Sequence, residues 1–246
     1  MSGKIEQTRS DEGAGSTDEY KTQFSGVDLI EGSSGDDFVK GSSGDDKFRP
    51  GYGNDGFDGG KGIDTVYYDS AGVERTMVNL SKKYAEAWYS DSGYDEASAD
   101  FYRQDSFAFS NQAQYDGLKK VENVVGSHGD DTIRGDDKKN YFYGGAGNDV
   151  LNGKDGNDTL NGGDGDDKLR GLNGKDRFEF DFSDGADSVY AFEDGADKFI
   201  INGGLTFADV EITDLGKHAL ITFGETSVTV MGTDHALLGE ADFIFA

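Results

Sequence analysis

The chain has 246 residues, a formal net charge of -26, no cysteine and 34% hydrophobic residues. These values exclude disulfides and thiolate metal sites. They argue against nucleic acid and membrane insertion, because phosphate would be repelled, and they point to cations as partners. The apolar fraction is thin for two ordinary cores, so something besides apolar burial must help hold the fold together.

Residues 1–22 read as a polar, flexible lead-in with no apolar stretch of the Sec signal type. No run of eighteen apolar residues occurs anywhere, so no transmembrane helix is expected. Residues 23–67 then fall into nonads of one phase. Position four is Gly26, Gly35, Gly44, Gly53 and Gly62, and position six is Asp28, Asp37, Asp46, Asp55 and Asp64. Position eight is Ile30, Val39, Phe48, Phe57 and Val66. Pro50, the only proline, opens one unit, where a turn tolerates it better than a strand interior would.

Residues 68–122 interrupt the pattern. Glycine thins out, while Tyr84, Trp88, Tyr89, Tyr94, Phe101, Tyr102, Phe107, Phe109 and Tyr115 accumulate. VERTMVNL alternates as a strand does, and SDSGYDEASADFYRQDS reads as an excursion. Two readings of these rings stand side by side: a stacking platform for a sugar or partner, or packing that covers the roll and joins the arrays.

The second array, 123–198, carries six nonads from Gly126 in the same phase as the first. Position four is Gly129, Lys138, Gly147, Gly156, Gly165 and Gly174, and position six is Asp131, Asn140, Asp149, Asp158, Asp167 and Asp176. Position eight is Ile133, Phe142, Leu151, Leu160, Leu169 and Phe178. The unit GDDKKNYFY departs from the pattern at Lys138 and Asn140, so its site is expected to be weak or vacant. GADSV and GADKF set Asp187 and Asp197 in similar turns at stretched spacing, as candidates to extend the series. From 199 to 246, FIING, VEITDL, ALITFG and SVTVMG read as an antiparallel meander that caps the end of the roll and seals its open edge.

A Gly/Asp-rich linker would explain the composition, but it would not lock a large apolar side chain to one position of nine. Three residues centred on position eight make a short strand with its middle side chain inward. The six before them make a turn in which glycine takes conformations closed to other residues. Each unit then reverses the chain, and two units complete one coil of two stacked parallel sheets. Aspartates two units apart, such as Asp149 and Asp167, would lie about 5 Å apart. Each such pair repels by roughly 3 kcal/mol at an effective dielectric of 20.

A divalent cation between turns reverses that sign, and carboxylates plus carbonyls suit calcium better than magnesium. The expected ligands are Asp28, Asp37, Asp46, Asp55, Asp64, Asp131, Asp149, Asp158, Asp167 and Asp176, with Asp187 and Asp197 as extensions. Gly35, Gly44, Gly53, Gly62, Gly147, Gly156, Gly165 and Gly174 are expected to contribute carbonyls or turn geometry.

GGAGNDVLN, GKDGNDTLN and GGDGDDKLR resemble the RTX, or hemolysin-type, calcium-binding nonapeptide G-G-x-G-x-D-x-U-x, with U large and apolar. VENVVGSHGDDTIRGD resembles the segment that opens such arrays, GEADFIFA resembles their C-terminal ends, and the C-terminal part is similar to repeat modules of mannuronan C5-epimerases. The resemblance implies an all-β, right-handed parallel β-roll holding several calcium ions. It also implies Gram-negative type I secretion, read from a C-terminal signal, and an extracellular or cell-surface location.

No catalytic motif accompanies the repeats. H-E-x-x-H and G-x-S-x-G are absent, and His128, His218 and His235 are too scattered to suggest a triad. GYGNDG formally matches a dinucleotide fingerprint but sits inside a nonad with no helix after it. Calcium ligation also explains the paired carboxylates without glycosidase chemistry. The expectation is a non-catalytic protein acting in adhesion, matrix or polysaccharide binding, with 22 leading residues too few for an enzyme. The alternative is the repeat module of, or a relative of, an RTX enzyme such as a mannuronan C5-epimerase, protease or lipase, with activity in the aromatic insert.

Overall fold

The computed structural model describes residues 29–32, 37–51, 55–69, 73–89 and 114–246. The first array supplies β1 (Leu29–Glu31), β2 (Phe38–Lys40), β3 (Lys47–Arg49), β4 (Gly56–Asp58) and β5 (Thr65–Tyr67). The insert supplies β6 (Val73–Asn79), β7 (Tyr84–Tyr89) and β8 (Gln114–Lys119). The second array runs through β9 (Asn123–Val125), β10 (Thr132–Arg134), β11 (Tyr141–Ala146), β12 (Val150–Asp155), β13 (Thr159–Asp164), β14 (Lys168–Asn173), β15 (Arg177–Phe180) and β16 (Ala186–Tyr190). Last come β17 (Lys198–Ile201), β18 (Glu211–Asp214), β19 (Ala219–Phe223), β20 (Thr226–Met231) and β21 (Phe243–Phe245).

Alternate units go to opposite sheets, so the chain coils as a parallel β-roll. One sheet has the order β1-β3-β5-β9-β11-β13-β15-β17-β21, and the other β18-β19-β20-β16-β14-β12-β10-β6-β7-β8-β4-β2. Between regular nonads paired residues lie 18 positions apart, as Ile30 with Phe48 and Leu151 with Leu169, and the spacing stretches to 20 where Leu169 pairs with Val189. The position-eight side chains Phe48, Phe57, Val66, Ile133, Phe142, Leu151, Leu160, Leu169 and Phe178 all lie between the sheets, fully buried. Three-residue strands put only their middle side chain inward, so this one column supplies most of the core in the arrays.

The two arrays form one roll. In the first sheet β5 lies directly beside β9, with Val66 opposite Val124, although 58 residues separate them. In the second sheet the insert occupies the same level as an antiparallel meander. Its strand β8 pairs in parallel with β4 and its strand β6 with β10. Tyr84, Trp88, Tyr89 and Tyr115 lie on β7 and β8. Tyr94, Phe101, Tyr102, Phe107 and Phe109 lie outside the described residues, as do the 1–22 lead-in, Gly26, Asp28, Gly35 and Gly53.

The expectation that FIING begins an antiparallel cap is corrected. β17 is parallel to β15 with Phe178 opposite Phe199, and β21 is parallel to β17 with Phe199 opposite Phe243. The reason is inward packing: Phe199 meets Phe178 at 6.1 Å, Phe243 at 5.4 Å and Phe192, stacked, at 4.6 Å, so the tail completes the roll's core. The antiparallel meander is β18-β19-β20, and it joins the roll through the parallel pair β16–β20. Phe199→Ala is expected to cost about 3–5 kcal/mol of unfolding free energy in calcium buffer, measured by denaturant titration. A loss below about 1 kcal/mol would show that the aromatic cluster does not hold the end of the roll.

Candidate metal centres

The position-six carboxylates line up between successive coils in two columns, one on each edge of the roll. Asp55, Asp64, Asp149, Asp158, Asp167, Asp176, Asp187 and Asp197 use Oδ1 to accept from the backbone N–H of the position-six residue one coil earlier. In the first column Asp46 N–H donates to Asp64 (2.8 Å), Asn140 to Asp158 (2.8 Å), Asp158 to Asp176 (2.9 Å) and Asp176 to Asp197 (2.8 Å). In the second, Asp37 donates to Asp55 (2.7 Å), Asp131 to Asp149 (2.7 Å), Asp149 to Asp167 (2.7 Å) and Asp167 to Asp187 (2.9 Å). Asp187 and Asp197 thus take the same place as the regular aspartates despite their longer spacing.

What happens to Oδ2 depends on position two, which the sequence reading did not weigh. Where that residue is Ser, its N–H is donated to Oδ2: Ser42 to Asp46 at 2.7 Å, and Ser127 to Asp131. Where it takes a left-handed backbone, as Gly60, Gly145, Lys154, Gly163 and Leu172 do, no such donation occurs. The Oδ2 atoms of Asp64, Asp149, Asp158, Asp167 and Asp176, and that of Asp187, are then buried without a hydrogen-bond partner.

Oxygen crowds these orphans. A methyl group on Gly144, Gly153, Gly162 or Gly171 would overlap Oδ2 of Asp149, Asp158, Asp167 or Asp176, and at Gly144 the carbonyl of Gly162 closes on the same volume. At position four Gly62, Gly147, Gly156, Gly165 and Gly174 all have left-handed φ. Gly165 and Gly174 show why: each lies against the carbonyl of its counterpart one coil back, a conformation and a clearance closed to any side chain. Gly44 keeps an ordinary φ and donates its N–H to Ser42 Oγ at 3.1 Å.

Burial, first of all, and for all of them but Asp131 neighbouring carboxylates, push these groups far above the ordinary aspartate range, against the backbone donors that pull them down. Asp149 and Asp187 rise to about 8, Asp158 and Asp167 to about 7, and Asp64, Asp131 and Asp176 to about 6. Asp184 also rises to about 6, from burial and then Asp181 and Asp164.

The donor set therefore suits a hard divalent cation: orphaned carboxylate oxygens beside carbonyls, with no sulfur or imidazole. No group of three His, Asp or Glu side chains converges as a metal site among the described residues, so backbone carbonyls must complete any cage. His128 lies in its turn, and His218 accepts from Gly232 N–H through Nδ1 at 2.8 Å.

The interruption between the arrays is filled by residues that sequence reasoning passed over. Glu122 takes the position-six place: its Oε2 accepts from Asp64 N–H at 3.2 Å, and its carbonyl accepts from Asn140 Nδ2 at 2.9 Å. The nonad frame run back from Gly126 puts Glu122 at position six, and that was the available signal. In the other column Thr76 N–H donates to Asp131. A second, outward ladder comes from position five. Asp45, Asp130, Asn148, Asn157 and Asp166 each accept from a backbone N–H in the next coil, at 2.7–3.0 Å.

Glycine turns that leave a column of bare, buried carboxylates between stacked coils are the arrangement that a calcium-binding β-roll would need. The family model of the RTX calcium-binding nonapeptide repeat matches the chain in four copies, at residues 23–55, 31–66, 125–160 and 152–182. No curated protein matches the chain. Among solved structures it is similar to the extracellular lipase LipA from Serratia marcescens, at 22% identity over 90% of this chain, with TM-score 0.44. It spans 40% of the lipase's length. It is also similar to the R2 and R3 subunits of AlgE6, a mannuronan C5-epimerase from Azotobacter vinelandii. For R2 the identity is 29% over 51% of this chain and 93% of that one, TM-score 0.42; for R3 it is 28% over 49% and 81%, TM-score 0.40.

Proposed function

We propose that this chain is a secreted, non-catalytic calcium-binding protein that folds on meeting Ca2+ outside the cell, exported by type I machinery that reads its C-terminal end. In this reading it presents its surface to an extracellular polysaccharide or cell-surface partner. The observation that carries the proposal is the set of six orphaned Oδ2 atoms on Asp64, Asp149, Asp158, Asp167, Asp176 and Asp187. Buried acceptors left without donors cost about 1–3 kcal/mol each, and more when charged, so the metal-free roll carries a large penalty.

Bound calcium would neutralise adjacent carboxylates and occupy their free lone pairs. The residues that would hold it are those aspartates, with carbonyls of the position-one and position-four glycines. At the low calcium of a cell interior the carboxylates repel one another and the chain, with net charge -26, stays expanded and threadable. Outside, calcium exceeds the roughly 10⁻⁴ to 10⁻³ M dissociation constants of extracellular sites, and binding free energy becomes folding free energy. Far-ultraviolet circular dichroism tests this: chelator should abolish most of the β-sheet signal, calcium should restore it, and magnesium should do so poorly. An unchanged spectrum after exhaustive chelation overturns the proposal.

A further inference from the structure

The orphaned carboxylates stop short of the middle of the roll. Asp64 marks their limit on the side of the first array, and Asp149 and Asp158 mark it on the other. Between these limits, among the described residues, every position-six acid or amide is answered by the protein itself. Glu122 takes the Lys138 ammonium on Oε1 at 2.8 Å and the Asp64 N–H on Oε2 at 3.2 Å. Asn140 uses both ends of its amide, accepting from Asp136 N–H and donating to the Glu122 carbonyl. Asp131 accepts from Thr76 N–H, Ser127 N–H and Ser127 Oγ. Thr76 Oγ1 is buried without a hydrogen-bond partner, but a hydroxyl brings no charge with it.

The charges at this level are matched as well. Lys83, Lys119, Lys120 and Lys138 line one cleft at the seam between the arrays. Lys119 and Lys120 share Asp58, at 2.8 and 3.2 Å, and Lys138 pairs with Glu122 at 2.8 Å. Lysine nitrogens therefore neutralise carboxylates here, the task that falls to a divalent cation where the columns are bare.

The strands at this level depend least on stacked glycine turns. β6 and β7 pair antiparallel across a turn at 80–83, in which Lys83 N–H donates to the Asn79 carbonyl at 2.8 Å and Lys82 N–H to Asn79 Oδ1 at 3.0 Å. Such a hairpin closes locally, ahead of the long-range parallel pairings of the coils. Val78, Leu118, Val121, Val124, Ile133 and Phe142 are buried at the same level and give it an apolar core. Both sheets can grow from it in either direction, because β8 and β9 offer edges to β4 and β5, and β10 and β11 offer edges to β12 and β13.

We infer that the middle of the roll, β6 to β11, folds without metal and is the nucleus on which calcium then orders two arms, β1–β5 and β12–β17. The inference deepens the calcium-driven folding proposed above and rests on it: the nucleus is the part of the β-sheet signal that chelator leaves. An edge that is already folded lets each arm stack coil by coil, so no arm has to close its long loops unaided.

The test is hydrogen–deuterium exchange of the full chain near neutral pH, read by mass spectrometry in chelator and in calcium. In chelator, peptides within 114–146 should exchange roughly tenfold or more slowly than peptides within 150–190, and in calcium both should be protected. Asn140→Asp sets a carboxylate against the Glu122 carbonyl, and it should erase the protection of 114–146 in chelator while calcium restores it. Lys138→Met, which removes the ammonium that answers Glu122, should act in the same direction by a separate route. Equally fast exchange of both regions in chelator, with normal protection in calcium, overturns the nucleus and leaves calcium-driven folding standing. Full protection of 114–146 in both variants under chelator also overturns it, since internal neutralisation would then not be the cause. Protection of every region in chelator defeats calcium-driven folding itself, and with it the division into nucleus and arms.

Discussion

Asp149→Asn and Asp167→Asn should each raise the calcium concentration at the folding midpoint about tenfold, whereas Asp46→Asn and Asp131→Asn should shift it about threefold or less. The difference follows from position two. Asp149 and Asp167 carry Oδ2 atoms that nothing in the protein satisfies, while Asp46 and Asp131 already receive the N–H of Ser42 and Ser127 on that oxygen. An amide keeps the Oδ1 link to the N–H of the coil before but removes the charge that a cation would neutralise, and tenfold corresponds to about 1.4 kcal/mol. The chain contains its own precedent. Asn140 accepts from Asp136 N–H at 3.2 Å and donates to the Glu122 carbonyl, meeting both ends of its amide without an ion. The same substitutions should make the metal-free chain more stable, because an amide carries no charge to desolvate. Calcium titrations followed by circular dichroism decide the matter. Equal shifts at all four positions would show that position two does not sort the sites.

Metal-free protein should gain β structure as the pH falls from 8.5 to about 5, and calcium-loaded protein should lose stability over the same interval. Burial raises Asp149 and Asp187 to about 8 and Asp158 and Asp167 to about 7 in the fold, against roughly 4 for a free aspartate. For an acid whose folded pKa is raised, the folded state binds more protons than the unfolded one between those values. Stability is therefore retained at acid pH and lost as the pH climbs through 6 to 8. Protonation silences the repulsion along each column and gives the orphaned oxygens a hydrogen to donate. Calcium inverts the slope, since its ligands must be deprotonated and protons compete with it. Chemical denaturation at several pH values, with chelator and with calcium, should give slopes of opposite sign. Parallel slopes would mean that the ladder carboxylates do not govern the folding equilibrium.

These expectations share one structural cause. A coil of two nonads buries one apolar side chain per strand, and the same 18-residue rise that stacks Leu151 on Leu169 also stacks Asp149 on Asp167. The core therefore cannot be assembled without assembling the charge. Where the two arrays meet, that coupling is relaxed: Glu122, Asn140 and Lys138 supply hydrogen bonds and an ion pair in place of a bare carboxylate. The roll is thus joined across the insert partly by contacts that do not call for metal, while Asp64 Oδ2 stays buried without a hydrogen-bond partner beside the Lys120 carbonyl.

Much of this was legible in one dimension, because a repeat of nine writes its geometry into every copy. The phase alone placed Phe48, Ile133, Leu160 and Phe178 between two sheets and the aspartates at the turns, since period-two strands and glycine turns leave each position one role. Other features depended on distance through space. That β5 lies against β9, that β17 and β21 finish the parallel sheet, and that Lys83, Lys120 and Lys138 share one cleft are consequences of coiling, which brings together residues with no spacing rule between them. Which carboxylates stay bare was likewise decided by backbone torsion at Ser127 or Gly145, because a left-handed residue withdraws the N–H that would otherwise satisfy Oδ2.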